Sequence, residues 1–360
     1  MKKSTFWELT GTIQLVLIGL FVITTQATSQ SYNPFGPLQH ARAAVMLPQS
    51  LSASGFNEFW NYHIYLDQDI RVHITFSVVD FGSLKAPVSG MRMSIQNVQG
   101  KTWQVSREYP IELLTVDKST HRVQMHPERE LYFEGALPDR HRVVVFLVKE
   151  GVSYRVELDF TQIQPALVWG DGKYGIRNTG INIVTHIPYA RVRGFIKIND
   201  KRVDVSGTAY MDHSWQYESS VRMIHSAYKF VHHKDADNWE IVYMVLPQAR
   251  NDLQTIGHRI SSHDGSVRHH GINRILRSTD GIIDGKKVFK SIQVSAGPED
   301  VVLTRIRDRE VHPTFGELNW LARRGIRAYL GGEVIDFRGR GELVVDGEKF
   351  PGEYSFLVID

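Results

Sequence analysis

The chain has 360 residues, 42% hydrophobic and 22% charged, an ordinary globular balance. It is longer than one hydrophobic core serves well, about 250–300 residues, so two domains are expected. With 42 Lys and Arg against 39 Asp and Glu, the net charge of +3 excludes a nucleic-acid footprint, and the lack of Cys excludes disulfides and lipid attachment through cysteine.

Residues 1–29 read as an export signal. Lys2 and Lys3 open it, an apolar run from Ile13 to Ile23 is broken only by Gln14 and Gly19, and Ala27-Thr28-Ser29 supplies small residues for cleavage. The run is short for a membrane span, and an uncleaved anchor is the alternative. A periplasmic or secreted protein is expected, with membrane contact only through this segment. Residues 30–54, rich in Pro, Gly, Ser and Gln, read as an irregular surface arm.

Strand patterns follow. Ile70, Val72, Ile74, Phe76 and Val78 alternate with Arg71, His73, Thr75 and Ser77, a half-buried strand. Val143 to Val148 turns at Glu150-Gly151 and returns through Tyr154, Val156, Leu158 and Phe160 as a hairpin. Pro, Gly and Asn interrupt residues 163–188, which places a domain break there: 55–186, then 187–360. Arg191 to Ala209 reads as a second hairpin through Asn199-Asp200. Asp-Gly pairs at 171–172, 264–265, 280–281, 284–285 and 346–347 are turn signals, since Gly accepts positive φ. Phe315 to Tyr329 is the one helical pattern, weakened by Gly325. The expected class is all-β, two antiparallel barrels, with helix below about a fifth of the chain.

The densest chemistry lies in Gly207-Thr208-Ala209-Tyr210-Met211-Asp212-His213-Ser214-Trp215. Strand alternation puts Met211, His213 and Trp215 on one face, and Tyr210, Asp212 and Ser214 on the other. An imidazole beside an indole suits an apolar ligand with one polar handle; a buried Asp–His pair serving the core is the bland alternative. One strand on, Trp239 to Tyr243 has its odd positions on a common face, so Tyr243 is either an aromatic wall or core.

Ile187-Pro188-Tyr189-Ala190-Arg191-Val192-Arg193-Gly194, with Gly207 and the Asp-His-x-Trp block, resembles the AttH/CrtC-like family. That lipocalin-like group includes carotenoid 1,2-hydratases and fungal Diels–Alderases. Phe59-Trp60-Asn61-Tyr62-His63 is similar to its opening strand. Tyr329-Leu330-Gly331-Gly332-Glu333 and Gly339-Arg340-Gly341-Glu342 are similar to its closing segment. Gln216 stands where the family has Gly. The resemblance covers about residues 55–358 and implies two lipocalin-like barrels, the second carrying the motif. It also implies chemistry in which an acid protonates an alkene beside aromatic faces. The hydratases' Asp, two positions after the second aromatic, is Val245 here.

Sixteen histidines raise the question of metal. His232-His233 and His269-His270 are neighbours that face opposite ways on a strand, and His258 to His263 has odd separation. No zinc spacing, dinucleotide loop or Gly-x-Ser-x-Gly elbow occurs, so no metal or cofactor is expected and the histidines read as solvated loop residues. Two functions are expected from these residues. The first is binding of a hydrophobic small molecule, an isoprenoid or other lipid, by Met211, His213, Trp215 and Tyr243 with Trp60 and Tyr62. The second is a cofactor-independent hydratase, cyclase or isomerase using His213 or Asp212 as acid. The sequence leaves the oligomeric state open.

Overall fold

The alternation at Arg71–Val79 becomes a strand that buries Val72, Ile74, Phe76 and Val78 on one face. The same logic extends along the chain. In the computed structural model the described residues are 36–360 apart from 50, 52–54, 83–84, 177–178, 249–253 and 317–319. The expected export signal lies outside them.

The first half contributes β1 (Leu38–His40), β2 (Asn57–Leu66), β3 (Arg71–Val79), β4 (Val88–Val98), β5 (Lys101–Pro110), β6 (Thr115–Asp117) and β7 (Arg122–Gln124). It continues with β8 (Leu131–Glu134), β9 (His141–Lys149), β10 (Val152–Thr161), β11 (Leu167–Ile176), β12 (Thr179–Ile198) and β13 (Lys201–Gln216). These form one antiparallel sheet in the order β5-β4-β3-β2-β13-β12-β10-β9-β8-β7-β6, with β11 on β12 and β1 on β11. The sheet curls around an inner core of Trp60, Tyr62, Phe76, Phe133, Phe160 and Met211, among others. Its two ends approach through side chains: Ser89 Oγ donates to the Met125 carbonyl at 3.0 Å, and Arg107 to the Val148 carbonyl at 2.7 Å.

The second half is a closed eight-stranded barrel. Its strands are β14 (Ile224–His233), β15 (Trp239–Pro247), β16 (Gln254–His263), β17 (Ser266–Ile283), β18 (Lys286–Ala296), β19 (Glu299–Pro313), β20 (Val334–Val345) and β21 (Glu348–Ile359). Phe230, Val242, Met244, Phe337 and Phe356 fill its interior. The α-helices among the described residues are α1 (Ser220–Met223) and α2 (Trp320–Leu330), so the helix expected at 315–329 forms toward its C-terminal end. The chain is all-β as expected, although only the second half closes into a barrel.

Four expectations are corrected. The junction placed at residue 187 falls inside β12, and the sheet changes only across 217–223. What reads as a break there is a pair of β-bulges between Thr185 and Ala190, around Pro188, inside a continuous strand. The Asp-His-x-Trp motif therefore belongs to the first sheet. Asp280-Gly281 and Asp171-Gly172 lie beside bulges in β17 and β11, while Asp264-Gly265, Asp284-Gly285 and Asp346-Gly347 turn with positive φ at both residues. The arm at 30–54 is pinned where described, because Met46 and Leu47 are buried in the inner core. Finally, His233, His258 and His269 are strand residues with little exposure, not solvated loop residues.

Buried histidine gives the fold a pH dependence. His141 Nε2 lies 2.8 Å from the Tyr62 hydroxyl, and burial pushes its pKa from 6.5 down to about 3. Burial likewise lowers His233 to about 3. The unfolded chain takes up these protons below pH 6.5, whereas the folded chain refuses them until about 3. This stability is thus fully present above 6.5 and declines as pH falls toward 3. Urea midpoints measured from neutral pH downward should fall, and His141→Gln should flatten the upper part of the decline. A midpoint that rises on mild acidification would contradict the assignment.

Candidate functional site: a cleft between sheet and barrel

The motif strand β13 meets β2 at a close approach that glycine alone permits, since a Cβ on Gly207 would sit 2.1 Å from the Tyr65 carbonyl oxygen. From there the register pairs Met211 with Tyr62, Asp212 with Asn61, His213 with Trp60 and Trp215 with Glu58. Alternation divides the motif between two environments.

The His213 face looks into the curled sheet. The imidazole stacks on Trp60 with ring centroids 4.7 Å apart and planes 12° apart, and Trp215 tilts against it at 4.9 Å. Its Nε2 lies 2.7 Å from Glu58 Oε1 and its Nδ1 3.1 Å from the Val45 carbonyl oxygen. The Gln49 N–H donates to both Glu58 oxygens, and Trp60 Nε1 donates to the Met46 carbonyl at 2.9 Å. Both partners of His213 are oxygen acceptors, so each ring nitrogen is aimed at one. The group works as a clasp fastening residues 45–49 to the sheet. Met211, His213, Trp215 and Trp60 do not border the large cavity described next, contrary to the pocket expected from sequence. Tyr62 reaches that cavity's edge but turns its hydroxyl into the inner core, toward His141.

The Asp212 face looks at the outer wall of the barrel, and between the two lies a cavity of about 320 Å³. Phe59, Phe81, Met91, Ile181, Ile224 and Leu357 give it apolar walls. At its floor the Asp212 carboxylate pairs with the Lys229 ammonium and accepts from Asn61 Nδ2 at 2.9 Å. Asn61 Oδ1 accepts from Thr75 at 3.0 Å. Lys229 Nζ is also 3.2 Å from His63 Nε2, and His63 Nδ1 is 3.1 Å from His73 Nδ1. An ammonium only donates, so Nε2 of His63 accepts and its proton sits on Nδ1, directed at His73. Burial holds both imidazoles well below their usual pKa, and the Lys229 charge adds to this, so both are neutral.

Lys229 and Tyr243 are cross-strand partners on the barrel's outer face. Lys229 Nζ lies 5.2 Å from the Tyr210 ring centre and 5.6 Å from that of Tyr243. Burial, then the nearby Asp212 charge, raises the Tyr243 pKa, which keeps the phenol protonated. Among the described residues Asp212 and His63 take two of the three Lys229 donors, which leaves one for the cavity. A further tie bolts sheet to barrel: Glu310 accepts from Gln96 and Gln104 at 2.6 Å and from Arg338 at 3.1 Å.

Of the residues singled out from sequence, Asp212 and Tyr243 line this cleft. Val245, at the hydratases' acid position, packs instead with Trp169, Ile183, Ala227 and Ile256 where the barrel meets the sheet. Sequence reasoning missed Lys229, although it is a lone Lys on a strand face shared with Ala227 and Val231. Gln216 also finds a role: its side chain donates to the Glu218 carbonyl at 2.9 Å and to Ser220 at 2.6 Å, shaping the link into the barrel.

No protein-family model and no curated protein sequence matches the chain. Solved structures do. An AttH-type protein of Nitrosomonas europaea aligns with a TM-score of 0.59 at 12% identity, over 88% of this chain and 99% of that one. CghA with bound Sch210972 aligns at 0.58 and 14% identity, over 91% and 99%. Kievitone hydratase from Nectria haematococca aligns at 0.52 and 12% identity, over 91% and 98%. The curled sheet, the closed barrel and the end-to-end alignments agree: this chain has the lipocalin-type fold of the AttH/CrtC-like proteins.

Proposed function

We propose that the cleft binds a hydrophobic small molecule, of isoprenoid or fatty-acyl type, through one oxygen function. The observation that carries this reading is an ammonium with a donor unused among the described residues, at the floor of an apolar cavity of about 320 Å³. A ligand carbonyl or hydroxyl oxygen there would accept from Lys229 and from the Tyr243 hydroxyl, which has no protein partner among the described residues. The apolar remainder of the ligand would lie along Phe59, Met91, Ile181 and Leu357.

Displacement of an apolar fluorescent probe, combined with native mass spectrometry of protein from its own host, tests the reading. Ser214→Trp should abolish probe binding by filling the cavity from β13. Tyr243→Phe should leave folding unchanged and weaken an oxygen-bearing ligand by about 0.5–1.5 kcal/mol, the worth of one neutral hydrogen bond. Equal probe binding by the parent chain and Ser214→Trp would place the site elsewhere.

One observation favours a second reading, cofactor-independent catalysis as a hydratase, cyclase or isomerase. Donors (Lys229, Tyr243) on the barrel wall and a base (Asp212) on the sheet wall meet at the cavity floor, so a substrate carbonyl could be polarised while a proton is moved beside it. Asp212 engaged with Lys229 is an acceptor, which suits a carbonyl-conjugated substrate better than an isolated alkene. Turnover of a bound ligand, lost in Asp212→Asn, would select this reading.

A further inference from the structure

α2 stands apart from both walls. It carries three arginines and no carboxylate, and its first residues, Trp320 and Leu321, are 68% and 63% exposed. Arg323 and Arg327 anchor it to Glu333 and Asp360, each at 2.8 Å. Arg324 is exposed and has no carboxylate partner among the described residues. Asp360 also binds Lys286, at the turn joining β17 to β18, and Ile282 just before that turn is 76% exposed. One carboxylate thus ties the helix and the hairpin tip to the same barrel rim. That rim borders the cleft: the connection carrying α2 leaves β19 and enters β20 through Thr314 and Val334, and both line the cavity.

We propose that this rim docks on an anionic lipid bilayer, with Trp320, Leu321 and Ile282 seated at the boundary of headgroups and acyl chains and Arg324 among the phosphates. Apolar knobs with an arginine that has no carboxylate partner among the described residues suit a soft, negatively charged interface, where indole is favoured. The sequence confined membrane contact to the N-terminal segment; α2 adds a site beside the cleft. The inference rests on the proposed ligand class only for its purpose, which is to let a hydrophobic ligand enter without crossing water. Docking is measured with no ligand present, so the two readings can fail separately.

The chain has no Cys, so Leu321→Cys in the full chain accepts a single nitrobenzoxadiazole label. With vesicles of phosphatidylcholine and phosphatidylglycerol in equal amounts, its emission should shift to the blue and brighten, and high salt should reverse this. Phosphatidylcholine alone should give little. The same label at Val148→Cys, 54% exposed on β9, should stay unchanged. Trp320→Ser, placed in the Leu321→Cys background, should lower partition about tenfold, as expected for one aromatic withdrawn from the interface. Arg324→Glu should weaken binding to the anionic vesicles only. An unchanged label at 321 overturns the proposal, whether the chain stays in solution or binds through its N-terminal segment alone. Self-association abolished by Trp320→Ser, without a vesicle response, assigns the patch to a second copy and overturns it equally.

Discussion

His213→Ala is expected to destabilise the fold by about 3–5 kcal/mol while leaving ligand binding by the folded fraction intact. Two losses combine. Glu58, fully buried, is deprived of its imidazole partner at 2.7 Å, and a void opens between Trp60 and Trp215. Residues 45–49 also lose a tether, so amide exchange there should rise more than elsewhere. Glu58→Gln in the same background should recover part of the loss, because a neutral amide costs less to bury than a carboxylate that has lost one of its hydrogen-bond donors. A variant that keeps its urea midpoint but loses probe binding would return His213 to the ligand site expected from sequence.

Lys229→Met should cost a similar amount, about 3–5 kcal/mol, because it leaves the Asp212 carboxylate buried with Asn61 but without its cation. Water entering the adjacent cavity would solvate that carboxylate, which places the expected value at the lower end. The diagnostic is the double variant. Asp212→Asn with Lys229→Met removes both charges, and most of the stability should return, with an unchanged denaturant slope. Additive single effects would mean that the two charges are uncoupled. Ligand binding should weaken in both the single and the double variant, since one of the two oxygen-binding donors is gone from each and only Tyr243 remains.

Local pattern made much of this molecule legible. The alternation at residues 70–78, the hairpin from Val143 to Phe160 and the turn at Asn199-Asp200 all formed, because each depends on neighbours in sequence. The division of the motif into two faces also follows from local geometry. Alternation alone does not tell which face meets water, core or cleft, and the ring-rich His213 face has the composition of a pocket while packing as core. An imidazole beside indoles serves a dry clasp as well as a ligand; the difference lies in Glu58, which is 155 positions away in the chain. Lys229 was missed for a related reason. A lysine on a barrel's outer wall reads as solvated until another sheet covers it. The bulges around Pro188 likewise mimic a domain boundary, since both place unusual backbone in a strand run.

The ring-filled barrel has a consequence for how such a molecule can change its preferences. A ligand held inside a barrel meets a bore fixed by strand number and stagger, which alter only in whole strands or whole registers. Here the barrel serves as a solid buttress, and the cavity lies in the gap between its outside and a second sheet. The width of that gap is set by side chains such as Ala227, Ser214 and Tyr243, none of which lies in the barrel's packed interior. Single substitutions can therefore lengthen, narrow or re-aim the chamber while both hydrogen-bonded walls stay intact. If the cleft binds the proposed ligand, its selectivity is adjustable one residue at a time, and from either wall.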